Sequence, residues 1–193
     1  MTTVHVLGNG PSIQHFESDL FHTEPTDGIR VGCNLTYPHL NPVWTVLGRD
    51  LLFYICENKI DFTIPVVTFT IDIRKVGQNT RNPEHLNSLN YHCILQHYYT
   101  WSPVVQRSSG HSACLLAIQQ YNPELVHLWG FDVLWSHSNK SVHDDLTRNK
   151  SISHNRWKET WIEIFSTYPR VTFCIHTPTP IENLPKNVVT ERL

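Results

Sequence analysis

Short apolar runs alternate with polar, turn-forming stretches along the chain, and the runs switch between a period of two and a period of 3.6. The β-branched run TVHVL at 3–7 passes straight into Gly8-Asn9-Gly10-Pro11-Ser12, which reads as strand, tight turn and helix start. Ser12 is a candidate N-cap for one to two turns of helix in IQHFESDLF. A second strand is expected at 28–34, ending at Asn34, and a third at 41–50, ending at Asp50. LLFYICENK at 51–59 reads as a short helix and IPVVTFTI at 64–71 as a strand. Residues 72–90 carry scattered Gly, Pro and Asn and read as a loop before a strand in YHCILQHYY.

In the second half, the apolar positions 114, 115, 117, 118 and 121 follow the spacing of an amphipathic helix. Ser108 or Ser109 can cap it, and Gly110, Ser112 and Ala113 occupy its first turn. LVHLWGFDVLW at 125–135 is the next strand, ending at Asp132. The strongly polar 136–153 reads as a lid-like loop, HNRWKETWIEIFSTYP as a helix, VTFCIHTP as a final strand, and 178–193 as an irregular arm. Strands alternating with helices predict an α/β chain. The expected fold is a single Rossmann-like, doubly wound, mostly parallel sheet forming one nucleotide-binding domain over 1–193.

Composition narrows the partners. Charged residues make up 17% of the 193, and the formal net charge is −2, so no global basic field collects nucleic acid. Thirteen histidines would turn the molecule positive somewhat below neutral pH. Five cysteines at 33, 56, 93, 114 and 174 include no CxxC pair and sit in apolar contexts, as free thiols of a reducing compartment do. The N-terminus lacks a basic n-region and a long apolar stretch, and no run reaches the roughly 18 apolar residues of a membrane span. The expectation is a cytoplasmic protein. Exposed aromatics and the C-terminal arm are compatible with a homo-oligomer.

Four groups of residues could carry chemistry. The first is the loop after the first strand, where Gly8 and Gly10 let the backbone approach a ligand and a helix start offers free N–H groups. It matches neither GxGxxG nor a Walker A loop, and a plain tight turn capped by serine explains it equally well. The second is the set Asn34, Asp50, Ser109, Gly110 and Asp132. These fall at predicted strand ends or helix starts that a parallel sheet gathers on one edge, and any one alone is more often a turn or cap. The third is His154, whose place at a helix start favours a neutral imidazole suited to general-base work. The fourth is His137, His143, Asp144 and Asp145, which could hold a divalent ion but lack HxH or HxxxH spacing and read chiefly as solvated loop. Trp129, Trp157 and Trp161 are expected in the core, with Trp135 bordering the lid.

VLGNGPSI, Cys33-Asn34, SSGHSACLLAI at 108–118 and VHLWGFDVLW at 126–135 follow one another in a characteristic order. Together with SHNRWKETWIEIFSTYPRVTFCIHTP, this resembles the bacterial lipooligosaccharide sialyltransferases that open with a GNGPS loop. The resemblance is discontinuous and covers most of the chain. It implies a glycosyltransferase that requires no cofactor, takes a nucleotide-activated sugar (a CMP-sugar in that family) as donor, and transfers to a glycan-type acceptor. It further implies that Gly8, Asn9, Gly10, Ser12, Asn34, Ser109, Gly110 and Asp132 line the nucleotide site, with His154 as general base of an inverting reaction. The family holds the leaving phosphate with a pair of lid tyrosines, whereas 136–153 contains none. Trp135, His137, Lys140, His143 or Arg148 would take their place.

LNPVWTVLGRD also looks like a broader GNGPS-containing family of largely unknown function that includes hydroxymethylpterin pyrophosphokinase-like proteins. That resemblance implies a diphosphotransferase or nucleotide-processing enzyme in which Asp50 and Asp132 hold Mg²⁺. A third expectation is a non-catalytic protein that binds or sequesters a nucleotide in the same pocket.

Overall fold

The structure is a computed structural model that describes residues 2–20, 28–34, 40–96, 108–135 and 154–193, with only the backbone described at 17–20, 133 and 154–156. Eight strands form one all-parallel sheet: β1 (Thr3–Leu7), β2 (Ile29–Cys33), β3 (Trp44–Val46), β4 (Val66–Phe69), β5 (Tyr91–Leu95), β6 (Leu125–Trp129), β7 (Thr172–Thr177) and β8 (Val188–Arg192). Their spatial order is β5-β4-β3-β2-β1-β6-β7-β8. The chain therefore starts at the middle of the sheet, builds outward through β5, then returns to the other side of β1 and builds outward again. The α/β doubly wound class expected from the sequence is the fold observed.

Strand alternation sets the two layers. Val4 and Val6 of β1, Val126 and Leu128 of β6 and Phe173 and Ile175 of β7 share a core with α5 (Ser109–Tyr121) and α6 (His154–Thr167). Leu7 of β1 and Trp129 of β6 pack on the opposite face against Ile13 and Phe16 of α1 (Ile13–Leu20). Further along that face, Leu47 and Val66 meet α2 (Arg49–Glu57), α3 (Thr70–Asn79) and α4 (Pro83–Ser88). Helix α5 lies across β1, β2 and β3, and every residue from Gly110 to Ile118 is buried. It is thus a central helix rather than the amphipathic one its spacing predicts. No helix among the described residues is long and apolar enough to cross a membrane.

Three other expectations are corrected. The strand expected at 41–50 ends at Val46, and Asp50 is the second residue of α2, its side chain 90% exposed and facing Arg49 at 3.6 Å. Residues 72–90 are not a loop but most of α3 and all of α4. Val76, Leu86 and Leu89 bury against Leu52 and Ile55 of α2, while Asn79 ends α3, Asn82 is the N-cap of α4 and Pro83 opens it. The turn is tied to α2 by Glu57, whose Oε1 accepts from Thr80 Oγ1 and the Arg81 N–H, both at 2.7 Å. Finally, the arm at 178–193 contains β8, paired in parallel with β7. Ile181 and Leu184 anchor the crossover to the core, and Asn187 Nδ2 donates to the carbonyls of Phe165 (2.9 Å), Tyr168 (3.1 Å) and Val171 (3.0 Å).

Candidate functional site

Strand order reverses between β1 and β6, and in open parallel sheets ligands bind beyond the carboxyl ends of the strands at such a switch point. Two loops meet there. The Gly8 N–H donates to the Trp129 carbonyl (2.7 Å) and the Gly10 N–H to the Gly130 carbonyl (2.8 Å), so the pairing of β1 with β6 continues into both loops. A Cβ on Gly8 would stand 2.5 Å from the Gly130 oxygen, and one on Gly10 would strike the Asp132 carboxylate. Gly130 itself has φ +72°. The glycines are required by the close approach of two backbones, and the N–H groups of Gly8 and Gly10 are engaged by the neighbouring loop rather than turned to a ligand.

Ser12 does not act as a simple helix cap. Its N–H (3.2 Å) and its hydroxyl (3.0 Å) both donate to Asp132 Oδ2, tying the start of α1 to the turn after β6. Burial holds the Asp132 carboxyl above its ordinary range, while the Ser12 donors and His15 pull the other way. In the same loop, between Gly8 and Gly10, the Oδ1 of Asn9 is buried with no hydrogen-bond partner among the described residues. A buried unmade hydrogen bond costs about 1–3 kcal/mol, so this amide stands ready for a partner.

Helix α5 begins on the same edge. A Cβ on Gly110 would lie 2.5 Å from the Phe131 ring, next to Asp132, and one on Gly48, after β3, 3.2 Å from Ser109 Oγ. The helix is capped at Ser108, whose N–H donates to His111 Nδ1 (2.9 Å). With Nδ1 accepting, Nε2 carries the proton and donates to the Trp157 carbonyl of α6 (3.2 Å). His111 is a residue the sequence reading passed over. It fills the place of Glu or Gln in a capping box and docks α6 onto the N-terminus of α5.

The structure therefore brings Gly8, Asn9, Gly10, Ser12, Gly110 and Asp132 together, with Ser109 alongside. Asn34 follows β2 at φ 60°, its backbone engaged by β3 through Val46 O (2.8 Å) and Thr45 Oγ1 (3.1 Å). Asp50 is not brought to Asp132. The strands they follow, β3 and β6, are three strand spacings apart, about 14 Å. Trp129 and Trp161 are buried as expected, and Trp135 is half-buried at the core margin. His154 opens α6, with its side chain outside the described residues. His137, Lys140, His143, Asp144, Asp145 and Arg148, with the whole 136–153 segment, also lie outside them.

A second polar group, which the sequence reading did not anticipate, lies on the α1 face. His5 and His127 stack with ring centroids 4.7 Å apart, His127 Nδ1 is 2.8 Å from His176 Nε2, and Trp129 lies flat on His176 at 3.3 Å. Burial, then the charge of His127, pushes both His5 and His176 down to about 3. Cys174 beside them is pushed up to about 12, first by burial and then by Glu191. None of the five cysteines is paired with another.

No protein-family profile and no curated protein sequence matches the chain. Among solved structures, the fold is similar to that of the sialyltransferase CstII from Campylobacter jejuni, determined in complex with the substrate analogue CMP-3FNeuAc. The TM-score is 0.53 at 17% identity, covering 91% of this chain and 81% of that one. At that identity, what the two chains share is the fold.

Proposed function

We propose that the crevice at the β1–β6 switch point binds a CMP-type nucleotide sugar and that the chain is a metal-independent, inverting glycosyltransferase. The buried, unpartnered Oδ1 of Asn9 carries this reading, because it lies where doubly wound sheets take nucleotides. The likeness to CstII, which was determined in complex with a CMP-sugar analogue, supports the donor class. Asn9, Ser12, Asn34, Ser109 and Asp132 would bond the nucleotide, with Gly8, Gly10 and Gly110 letting the loops after β1 and β6 and the start of α5 close up around it. The acceptor hydroxyl attacks the anomeric carbon from the face opposite the nucleotide. His154 takes the hydroxyl proton as the new C–O bond forms, and the bond to the phosphate breaks with its electron pair on the leaving CMP. Trp135, His137, Lys140, His143 and Arg148 are the groups proposed to meet the phosphate charge.

The test is CMP release from CMP-sugars in EDTA, comparing the wild-type chain with His154→Ala. The expected result is wild-type turnover in chelator and none in His154→Ala, whose CMP affinity stays close to wild type. Full activity in His154→Ala removes that residue from the mechanism, and absence of CMP release with every donor and acceptor overturns the transferase reading.

A further inference from the structure

Three adjacent parallel strands deliver metal-binding side chains to one face of the sheet. His127 of β6 is in register with Cys174 of β7, and His176 of β7 with Glu191 of β8. Cys174 and His176 are two residues apart on a strand, so all four side chains leave the sheet on the same side. One donor atom from each lies within 4.8 Å of the other three. His176 Nε2 stands 3.7 Å from Cys174 Sγ and 2.8 Å from His127 Nδ1, and His176 Nδ1 stands 3.4 Å from Glu191 Oε2.

We propose that His127 Nδ1, His176 Nε2, Cys174 Sγ and the Glu191 carboxylate form a binding site for one divalent transition ion of zinc's chemistry. A tetrahedral ion with bonds of about 2.0–2.1 Å to nitrogen and 2.3 Å to sulfur sets donor–donor edges of about 3.3–3.6 Å. The Cys174–His176 edge is already near that length. The two imidazoles need to part by about half an ångström to reach it. Glu191, exposed on the last strand, has the freedom to swing in and close the fourth position. Two imidazoles, a thiolate and a carboxylate select zinc or cobalt over magnesium or calcium, which take oxygen-only sets.

Both imidazole planes are already fixed by stacking, His176 under Trp129 and His127 under His5. On binding, coordinate bonds replace the hydrogen bond between the imidazoles, the imidazole that donated it shifts its proton to its other ring nitrogen, and the Cys174 proton leaves to solvent. The ion would clamp β6, β7 and β8 together directly behind Trp129, whose carbonyl receives the Gly8 N–H. This is a structural role, independent of whether the crevice takes a nucleotide.

The test is titration of the chelator-stripped chain with Co²⁺, followed by displacement with Zn²⁺. One equivalent of Co²⁺ should give the visible bands of a four-coordinate ion and a thiolate-to-cobalt charge-transfer band, and Zn²⁺ should abolish both and raise Tm by several degrees. Cys174→Ser should lose the charge-transfer band. Because that position is buried, Glu191→Gln at an exposed position is the second variant, expected to fold normally and bind Co²⁺ at least about 10-fold more weakly. Failure to bind Co²⁺ and Zn²⁺, a charge-transfer band that survives in Cys174→Ser, or wild-type affinity in Glu191→Gln overturns the site.

Discussion

Asp132 and Asn9 are polar groups that the fold holds at some cost to itself. The folded chain binds the Asp132 proton more tightly than the unfolded one, whose ordinary value is 3.8. The stability this group contributes is therefore full below 3.8 and is lost as pH rises through the raised folded value. Asp132→Asn removes that loss while an amide oxygen can still accept from Ser12. Thermal melts from about pH 3 to about pH 7 should show the variant gaining on wild type as pH rises; a widening deficit contradicts this. Asn9→Ala deletes an unsatisfied buried oxygen, so it should leave urea stability unchanged or higher while weakening CMP binding about 10-fold. Gly10→Ala drives a methyl into Asp132 and should cost roughly 1–3 kcal/mol in the same urea experiment.

At the scale of elements, helix α5 and its cap carry the arrangement of the site edge. His111→Ala removes both the acceptor of the Ser108 N–H and the donor to Trp157, whereas a Gln there can rebuild the capping box. Denaturant unfolding should show His111→Ala losing about 1–2 kcal/mol and His111→Gln recovering part of it. Equal loss in both would place the effect in ring packing on Trp161 instead. Most strands were legible because β-branched runs bounded by Gly, Asn and Pro leave little choice of period. Helices α3 and α4 were not, because their apolar positions are sparse and become a face only when α2 supplies Leu52 and Ile55. The Ser108–His111 box was visible as a spacing, but histidine replaces the usual Glu or Gln.

For the whole molecule, two directions of winding from β1 bring the loops after β1 and β6 together at the switch point and leave β5 and β8 as the outer strands. Asn187→Ala removes the donor holding the crossover to β8, and should lower stability by about 1–3 kcal/mol while speeding amide exchange in Val188–Arg192 ahead of β1. The gathering of the glycine loop, Ser-Gly and Gly-Phe-Asp segments on one edge was legible from their places at strand ends and helix starts. That the glycines serve a loop-to-loop contact, and that Asp50 stands away from Asp132, depended on strand order, which no local pattern contains. Cys174-Ile175-His176 carried a strand-spaced signal on one face, but its partners His127 and Glu191 come from other strands. The proposed transfer chemistry depends on a nucleotide at the β1–β6 switch point. Thermal melting with CMP, CDP, UDP, GDP and ADP, with every sample in the same excess of EDTA, tests it most directly. A ligand at about 100 times its dissociation constant adds roughly 2.7 kcal/mol, so CMP should raise Tm by several degrees in wild type and much less in Asn9→Ala. No shift with any nucleotide, or an equal shift in Asn9→Ala, would contradict it.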